Sequence, residues 1–173
     1  RMDLAYVVLT MVDRDDLLDG GAAHVAQTVR RSKELNPALR IETLVGDFAG
    51  RRSDVRTLVV DGGPDVFAHN VEVVPRLQRS MRDARCSWER SIDVLRWARD
   101  AGAGVTKSSL MVGCGEHEEE SLEAMQKLKD AEVDVLTIGQ YLRPTEKHAP
   151  LDRYVEPEEF ERLQKAGMQM GFR

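Results

Sequence analysis

The stretch "LAYVVLTMVDRDDLLDGG", residues 4–21, joins an apolar run to a short loop that is rich in aspartate. The run over residues 4–12 is continuous and consists largely of Val and Leu, which is typical of a strand buried in a parallel sheet. Apolar residues then recur at helical spacing from Ala22 to Val29, and Asn36–Pro37 is expected to end that helix. Strand, polar loop and helix in this order predict the first unit of an α/β fold.

The same alternation continues along the chain. Further strands are predicted at residues 40–46, 64–72, 104–113 and 133–142, and helical patterns lie between and after them at 54–63, 88–102, 122–128 and from Pro157 onward. Repeated βαβ units require right-handed crossovers, a parallel sheet and helices packed against it.

The polar residues indicate which kind of parallel sheet this is. No G-x-G-x-x-G motif follows the first strand, which argues against a dinucleotide-binding open sheet. Polar and small residues instead follow several strands, in "DRDD", "GDF", "HNVE", "GCGE" and "GQYL", and barrel enzymes build their sites at that face. Because five units cannot close an eight-stranded barrel, the predicted fold class is α/β, a partial (β/α) barrel of about five parallel βα units. We expect a single domain over residues 1–173.

Composition excludes several classes of protein. The 173 residues are 42% hydrophobic and 32% charged, as in a globular domain. A net charge of −5 without a long basic stripe argues against nucleic acid or anionic membrane as a partner. No apolar run approaches the roughly 20 residues of a membrane span, and no secretory signal opens the sequence. Cys86 and Cys114 are expected as reduced thiols, and the four histidines show no metal-ligand spacing.

Two strand ends carry side chains with uncommon chemistry. His69 or Asn70 stands beside Glu72 after the third strand, where either could serve a ligand or simply satisfy backbone groups. On the fourth strand, Lys107 and Ser109 share one face by the period-two rule. A lysine on an interior strand face requires a carboxylate partner or an anionic ligand, unless it lies at the strand entrance and reaches solvent.

Two further motifs are polar and lie after strands. "GCGEHEEE", residues 113–120, forms a glycine turn before an acidic helix start, and its backbone N–H groups could bind the polar edge of a ligand. Gln140 and Tyr141 carry uncommitted polar groups after "LTIG". Neither motif is specific when taken alone.

Four segments together resemble lipoyl synthase, a family of radical S-adenosylmethionine (SAM) enzymes. They are "YVVLTMVDRDDLLDGGAAH", "DVFAHNVEVVPRL", "TKSSLMVGCGE" and "LTIGQYLRPTEKHAPLDRYVEPEEF", in order and suitably spaced over nearly the whole chain. The resemblance implies a barrel of the radical-SAM type with its first βα unit missing. Small departures are Met11, where Ser is usual, and Ser109, where Gly is usual.

The resemblance also implies that this chain is a fragment. The family places the CxxxCxxC cluster loop and the N-terminal cysteines of an auxiliary cluster upstream, and its RSSY segment downstream. Cys86 and Cys114 match no cluster ligand, so no catalytic or metal-binding residue is expected within this chain. The fragment alone is therefore expected to be inactive.

For the whole enzyme, the resemblance implies insertion of two sulfur atoms into a carrier-bound octanoyl-lysine to form the lipoyl cofactor. SAM and two 4Fe–4S clusters would be the cofactors. The implied partners are an octanoylated lipoyl-carrier protein domain and an electron donor such as flavodoxin or ferredoxin, without nucleic acid or membrane. The location would be cytoplasmic, or mitochondrial in a eukaryote.

The implied site residues fall into two sets. One set is expected to bind SAM: Asn70, Glu72, Lys107, Ser109, Glu116 and Gln140. The other is expected to shape the substrate side: Asp13, Arg14, Asp15 and Asp16. The alternative hypothesis is a cluster-free α/β barrel that binds a small ligand or a protein partner.

Overall fold

The computed structural model describes residues 4–173. Strands and helices alternate in the following order: β1 (Tyr6–Thr10), α1 (Ala22–Leu35), β2 (Arg40–Leu44), α2 (Arg52–Thr57), β3 (Val66–Ala68), α3 (Gln78–Met81), α4 (Trp88–Asp100), β4 (Thr106–Val112), α5 (Glu118–Asp130), β5 (Val135–Gln140) and α6 (Pro157–Met170). Short helical turns lie at Phe48–Gly50 and Pro75–Leu77, and a π-helical turn, Leu58–Gly62, extends α2.

The strands form one five-stranded sheet in the order β1-β2-β3-β4-β5. The pairs β1–β2, β2–β3 and β3–β4 are parallel, with Tyr6 opposite Arg40 and Ala68 opposite Lys107. A doubly wound open sheet would reverse its strand order at a switch point, whereas a (β/α) barrel keeps the strands sequential. The predicted α/β class with five parallel βα units is confirmed.

The chain divides into two compact units. The first runs up to His69 and includes Asp93–Lys107, and the second combines Asn70–Ile92 with Ser108–Arg173. Strand β4 begins in the first unit and ends in the second. The expectation of a single domain over residues 1–173 therefore stays a prediction.

The core of the first unit lies between its strands and helices α1, α2 and α4. It consists of small and branched apolar side chains around two phenylalanines: Ala22, Ala26, Val45, Phe48, Val55, Leu58, Val59, Phe67, Val94, Ala98 and Ala103. Gly62 lets α2 approach α1 closely, because a Cβ at this position would lie 2.9 Å from the Ala26 Cα. Burial of this apolar surface is the main stabilising contribution to the unit.

Strand β1 departs from the prediction of a buried strand. Tyr6 and Val8 are 48% and 47% exposed, and Val7 and Leu9 are only half-buried. Among the described strands β1 has a single neighbour, β2, so one face and one edge lack the cover that a central parallel strand receives. The prediction of a fully buried run over residues 4–12 is wrong for this reason.

The core of the second unit lies between β4 and helices α5 and α6. Its buried side chains include Leu110, Val112, Ala124, Met125, Leu128 and Leu163. Pro157 stands in the first turn of α6, as predicted, where its missing N–H costs nothing. Within residues 4–173, no helix has the length and apolar character needed to cross a bilayer.

Asp65 joins β2 to the turn that precedes β3. Its carboxylate accepts a 2.8 Å hydrogen bond from the backbone N–H of Ile41 and another of 2.8 Å from Arg40. The Lys33 ammonium lies 2.9 Å away. Burial alone would raise the pKa of Asp65, but these contacts outweigh it and lower the pKa to about 2.

The low pKa of Asp65 predicts a stability change in acid. Because its folded-state pKa lies below the unfolded value of about 3.9, the carboxylate stabilises the fold above that pH, and the contribution is lost between about pH 4 and pH 2. Asp65→Asn should cost about 2 kcal/mol at neutral pH and flatten urea-unfolding stability across that window. Asp61→Asn, at an exposed position, is the control. Identical pH profiles for the two variants would contradict the assignment.

Candidate functional site

The four predicted substrate residues follow β1 and are all exposed. Arg14 donates two 2.7 Å hydrogen bonds to the Asp16 carboxylate, and this pairing lowers the pKa of Asp16. A Cβ at Gly46, after β2, would overlap the Asp13 carboxylate, so the glycine allows this side chain to approach. The structure thus brings Asp13 to the end of β2, while Asp15 and the Arg14–Asp16 pair face solvent.

Asp19 was not among the predicted site residues, and it caps helix α1. Its carboxylate accepts 2.9 Å hydrogen bonds from the backbone N–H groups of Ala23 and Gly21, which lower its pKa. Gly20 and Gly21 have φ values of 59° and 87°, a backbone conformation that glycine adopts without strain. Part of the aspartate-rich loop is therefore a helix cap.

Lys107 pairs with a buried carboxylate. Its ammonium lies 2.8 Å from one oxygen of Glu42, whose side chain is only 5% exposed. The other Glu42 oxygen accepts a 2.5 Å hydrogen bond from the Tyr6 hydroxyl. Burial, this hydrogen bond and the negative charge of Glu42 raise the pKa of Tyr6 to about 12. Of the alternatives left open for Lys107, the structure shows the carboxylate partner.

Sequence reasoning missed Glu42 and Tyr6. The available signal was an acid at the centre of the strand pattern "RIETL", since a buried carboxylate requires a cationic or hydrogen-bonding partner. His69, by contrast, matches the simpler of its two interpretations. It is buried, and its Nδ1 lies 2.9 Å from the carbonyl oxygen of Val45.

Asn70, Glu72 and Ser109 lie in the second unit with their polar side chains half-buried. The backbone N–H of Glu72 donates to the Ser109 carbonyl at 3.1 Å, and the Glu72 carbonyl accepts from Met111 at 2.6 Å. These bonds hold Glu72 at a φ of 69°, which is uncommon for a residue other than glycine and is a form of strain found at functional sites. Among residues 4–173, the three side chains have no hydrogen-bond partner.

Glu116 closes the glycine turn. Its carboxylate accepts hydrogen bonds of 2.6 Å and 2.9 Å from the backbone N–H groups of Gly113 and Cys114. Arg153 lies 3.9 Å from the same carboxylate and forms two 2.7 Å bonds with Glu159. The backbone N–H groups that the sequence predicted to bind a ligand therefore donate to the Glu116 carboxylate instead.

The side-chain amide of Gln140 is also hydrogen-bonded to other parts of the chain. Its amide nitrogen donates to the carbonyls of Tyr141 and Arg153 at 2.9 Å and 3.2 Å, and its oxygen accepts from the Val155 N–H at 2.8 Å. The structure brings Glu116, Gln140 and Arg153 together around the turn. Arg153 was missed as a separate candidate, although it stands within the quoted motif "LDRYVEPEEF".

The comparisons with known proteins identify the family. Residues 1–128 match the sequence model of the radical SAM superfamily. The chain belongs to this superfamily. Methylornithine synthase shares its fold with a TM-score of 0.70 at 17% identity, over 94% of this chain and 48% of that one. The FeFe-hydrogenase maturase HydG from Carboxydothermus hydrogenoformans has a TM-score of 0.66 at 13% identity, over 96% and 40%. The predicted radical-SAM type of fold is confirmed.

Sequence relatives of this radical SAM chain are much more similar. Lipoyl synthase of Sorangium cellulosum is 56% identical over 99% of this chain and 50% of its own length. The Deinococcus radiodurans lipoyl synthase is 54% identical, over 99% and 52%, and the mitochondrial lipoyl synthase of Picea sitchensis is 51% identical, over 98% and 44%. The predicted resemblance is confirmed, and the chain spans about half the length of these relatives.

The described part of this radical SAM chain does not fit an iron–sulfur cluster. Residues 4–173 contain no group of three or more His, Cys, Asp or Glu side chains that could hold a metal ion. Neither Cys86 nor Cys114 forms a disulfide within residues 4–173. Burial and the charges of Glu116 and Asp152 raise the pKa of Cys114 to about 11, which disfavours the thiolate needed for ligation.

Proposed function

We propose that this chain is part of a lipoyl synthase, which inserts two sulfur atoms into an octanoyl-lysine on a carrier domain. The observation that supports this function is 54–56% identity to lipoyl synthases over 99% of the chain. An electron donor of the flavodoxin or ferredoxin kind would supply the reducing equivalents. No step through a cluster is assigned to the described residues, because they do not fit one.

SAM fits the second unit better than a cluster does. Asn70, Glu72 and Ser109 present an amide, a carboxylate and a hydroxyl that are half-buried and have no partner among the described residues. A carboxylate can accept from the SAM ammonium or a ribose hydroxyl, and an amide or hydroxyl can both donate and accept. When bound, SAM supplies hydrogen-atom abstraction from unactivated carbons. These three residues would hold and orient it.

Of the other three predicted SAM residues, Glu116 and Gln140 would act by positioning the turn after β4, whereas Lys107 stabilises the first unit by neutralising Glu42. We assign Asp13, Arg14, Asp15 and Asp16 to the substrate side, where exposed charges can contact the carrier-bound octanoyl-lysine.

SAM binding tests the assignment of Asn70 and Glu72. Asn70→Ala and Glu72→Gln should each weaken SAM binding about tenfold, because one hydrogen bond to a charged or polar ligand group contributes about 1.4 kcal/mol. Equilibrium dialysis with labelled SAM measures this without activity. Glu123→Gln, on the exposed face of α5, is the matched control. Equal affinity for Glu72→Gln and Glu123→Gln would contradict the assignment.

Sulfur insertion tests the function itself. The cluster-loaded enzyme that contains this sequence should convert an octanoylated carrier peptide into a lipoylated one, with one SAM consumed per sulfur, as mass spectrometry can follow. The isolated 173-residue chain, incubated with iron and sulfide, should show no cluster absorbance. The alternative, a cluster-free barrel that binds a small ligand or a protein, would be favoured by two results together. The loaded enzyme would insert no sulfur, and the chain would bind a ligand without any need for SAM.

A further inference from the structure

The segment Arg76–Arg90 concentrates positive charge in an acidic chain. It contains two acids, Asp83 and Glu89, and five arginines: Arg76, Arg79, Arg82, Arg85 and Arg90. The local excess of three positive charges contrasts with the net charge of −5 for the whole chain. Such a reversal of sign on one surface favours a partner whose contacting face is negative.

The segment is held in one conformation by its own unit. The Arg82 guanidinium donates to the Ser91 hydroxyl at 3.1 Å and to the Val71 carbonyl at 3.4 Å. Arg76 donates to the Gly115 carbonyl at 2.7 Å, and Trp88, near the end of the segment, is only 5% exposed. A surface that is ordered before binding loses less conformational entropy when a partner docks.

Internal acids neutralise only part of this charge. Arg76 pairs with Glu120 at 2.7 Å, and Arg85 pairs with Asp83 at 2.9 Å. Arg79 is exposed and has no acidic partner within residues 4–173. With Glu120 added to the segment, five arginines stand against three acids, an excess of two positive charges by sequence.

The surface is also concave. A pocket of about 800 Å³ lies along the segment, and its lining includes Arg76, Arg79, Asp83, Cys86, Trp88 and Glu89. Of the two arginines in this lining, Arg79 has no acidic partner among the described residues, so it can offer its guanidinium to a carboxylate of a partner protein. Nucleic acid fits less well, because the remaining chain is acidic and Trp88 is buried rather than free to stack on bases.

We propose that the Arg76–Arg90 surface docks an acidic face of the carrier domain that bears the octanoyl-lysine. This inference rests on the function proposed above, since that function supplies the carrier domain as the occupant. Arg79 contributes most to recognition, because its guanidinium is exposed and is not paired with another group of the described chain. Exposed charge pairs of this kind act on the rate of association and are weakened by salt.

Binding of the isolated octanoylated carrier domain to this chain tests the proposal. We expect Arg79→Glu to raise the Kd at least about tenfold at about 20 mM NaCl, measured by isothermal titration calorimetry. Arg79→Lys should retain most of the affinity. Raising NaCl to about 300 mM should weaken binding of the unchanged chain more than that of Arg79→Glu. Arg30→Glu makes the same charge change on exposed α1 and should bind normally.

Four outcomes overturn the proposal. They are an equal loss for Arg30→Glu, an Arg79→Glu variant that binds as well as the unchanged chain, no binding of the carrier domain, and tighter binding of a single-stranded oligonucleotide that depends on Arg79. Failure of the function itself is distinguishable. If the loaded enzyme inserts no sulfur while the carrier still binds through Arg79, lipoyl synthase activity is refuted and the docking surface remains.

Discussion

Gly113→Ala is expected to destabilise the second unit by about 3 kcal/mol. Gly113 has a φ of 88°, which side-chain-bearing residues rarely adopt, and a Cβ there would lie 2.6 Å from the Arg153 carbonyl oxygen and overlap the Gln140 amide. Either the backbone or the Gln140 hydrogen bonds must shift. Urea unfolding followed by circular dichroism measures the loss.

Gly139→Ala is the matched control for Gly113→Ala. Gly139 lies in β5 of the same unit, its φ is not positive, and a Cβ at this position would have no described atom within 4 Å apart from its chain neighbours. A methyl group there should change the stability by less than about 0.5 kcal/mol. Equal stability of the two alanine variants would show that neither the positive φ of Gly113 nor its close approach to Gln140 constrains the turn after β4.

Lys107→Met should cost about 3 kcal/mol, because it leaves the Glu42 carboxylate buried without its cation. The 2.8 Å contact and the 5% exposure of Glu42 make this pair different from the surface ion pairs of the chain. Removing both charges in Lys107→Met/Glu42→Leu should recover much of the loss, since no buried charge then remains at this position. Urea unfolding of the three proteins measures both effects.

Arg31→Ala provides the comparison for an exposed ion pair. Arg31 and Glu34 are 67% and 50% exposed, so breaking their 2.7 Å contact should cost no more than about 0.5 kcal/mol.

Measuring both the stability and the SAM affinity of Lys107→Met separates a structural role of Lys107 from a role in ligand binding. If Lys107→Met unfolds like the unchanged chain and loses only SAM affinity, Lys107 is a ligand-binding residue and its pairing with Glu42 is incidental.

Local patterns predicted the order of elements well. The periodicity from Ala22 and the stop at Asn36–Pro37 match helix α1, and the proline at residue 157 lies in the first turn of α6, as expected. The alternation along β4 is equally clear, because Thr106, Ser108, Leu110 and Val112 are buried while the residues between them are half-buried. Such features depend on spacing within one segment, so the sequence carries them directly.

Local spacing patterns could not predict the exposure of β1 or the hydrogen-bond and ion-pair partners of the polar residues. The apolar run at residues 4–12 is the same whether a strand has one neighbour or two. Lys107 donates a hydrogen bond to the carboxylate of Glu42, which lies 65 positions away in the sequence. Which strands are adjacent, and in which register, decides that pairing.

Periodicity and family motifs are local, so the amino-acid sequence was enough to predict a parallel α/β chain of the radical SAM type. The division of the predicted site residues into two groups came from the tertiary structure. Lys107, Glu116 and Gln140 are bound to other parts of the chain, whereas Asn70, Glu72 and Ser109 keep their polar groups without partners among the described residues. The physical reason is that a buried polar side chain takes whichever partner the fold brings within hydrogen-bond distance, and segments distant in sequence supply those partners.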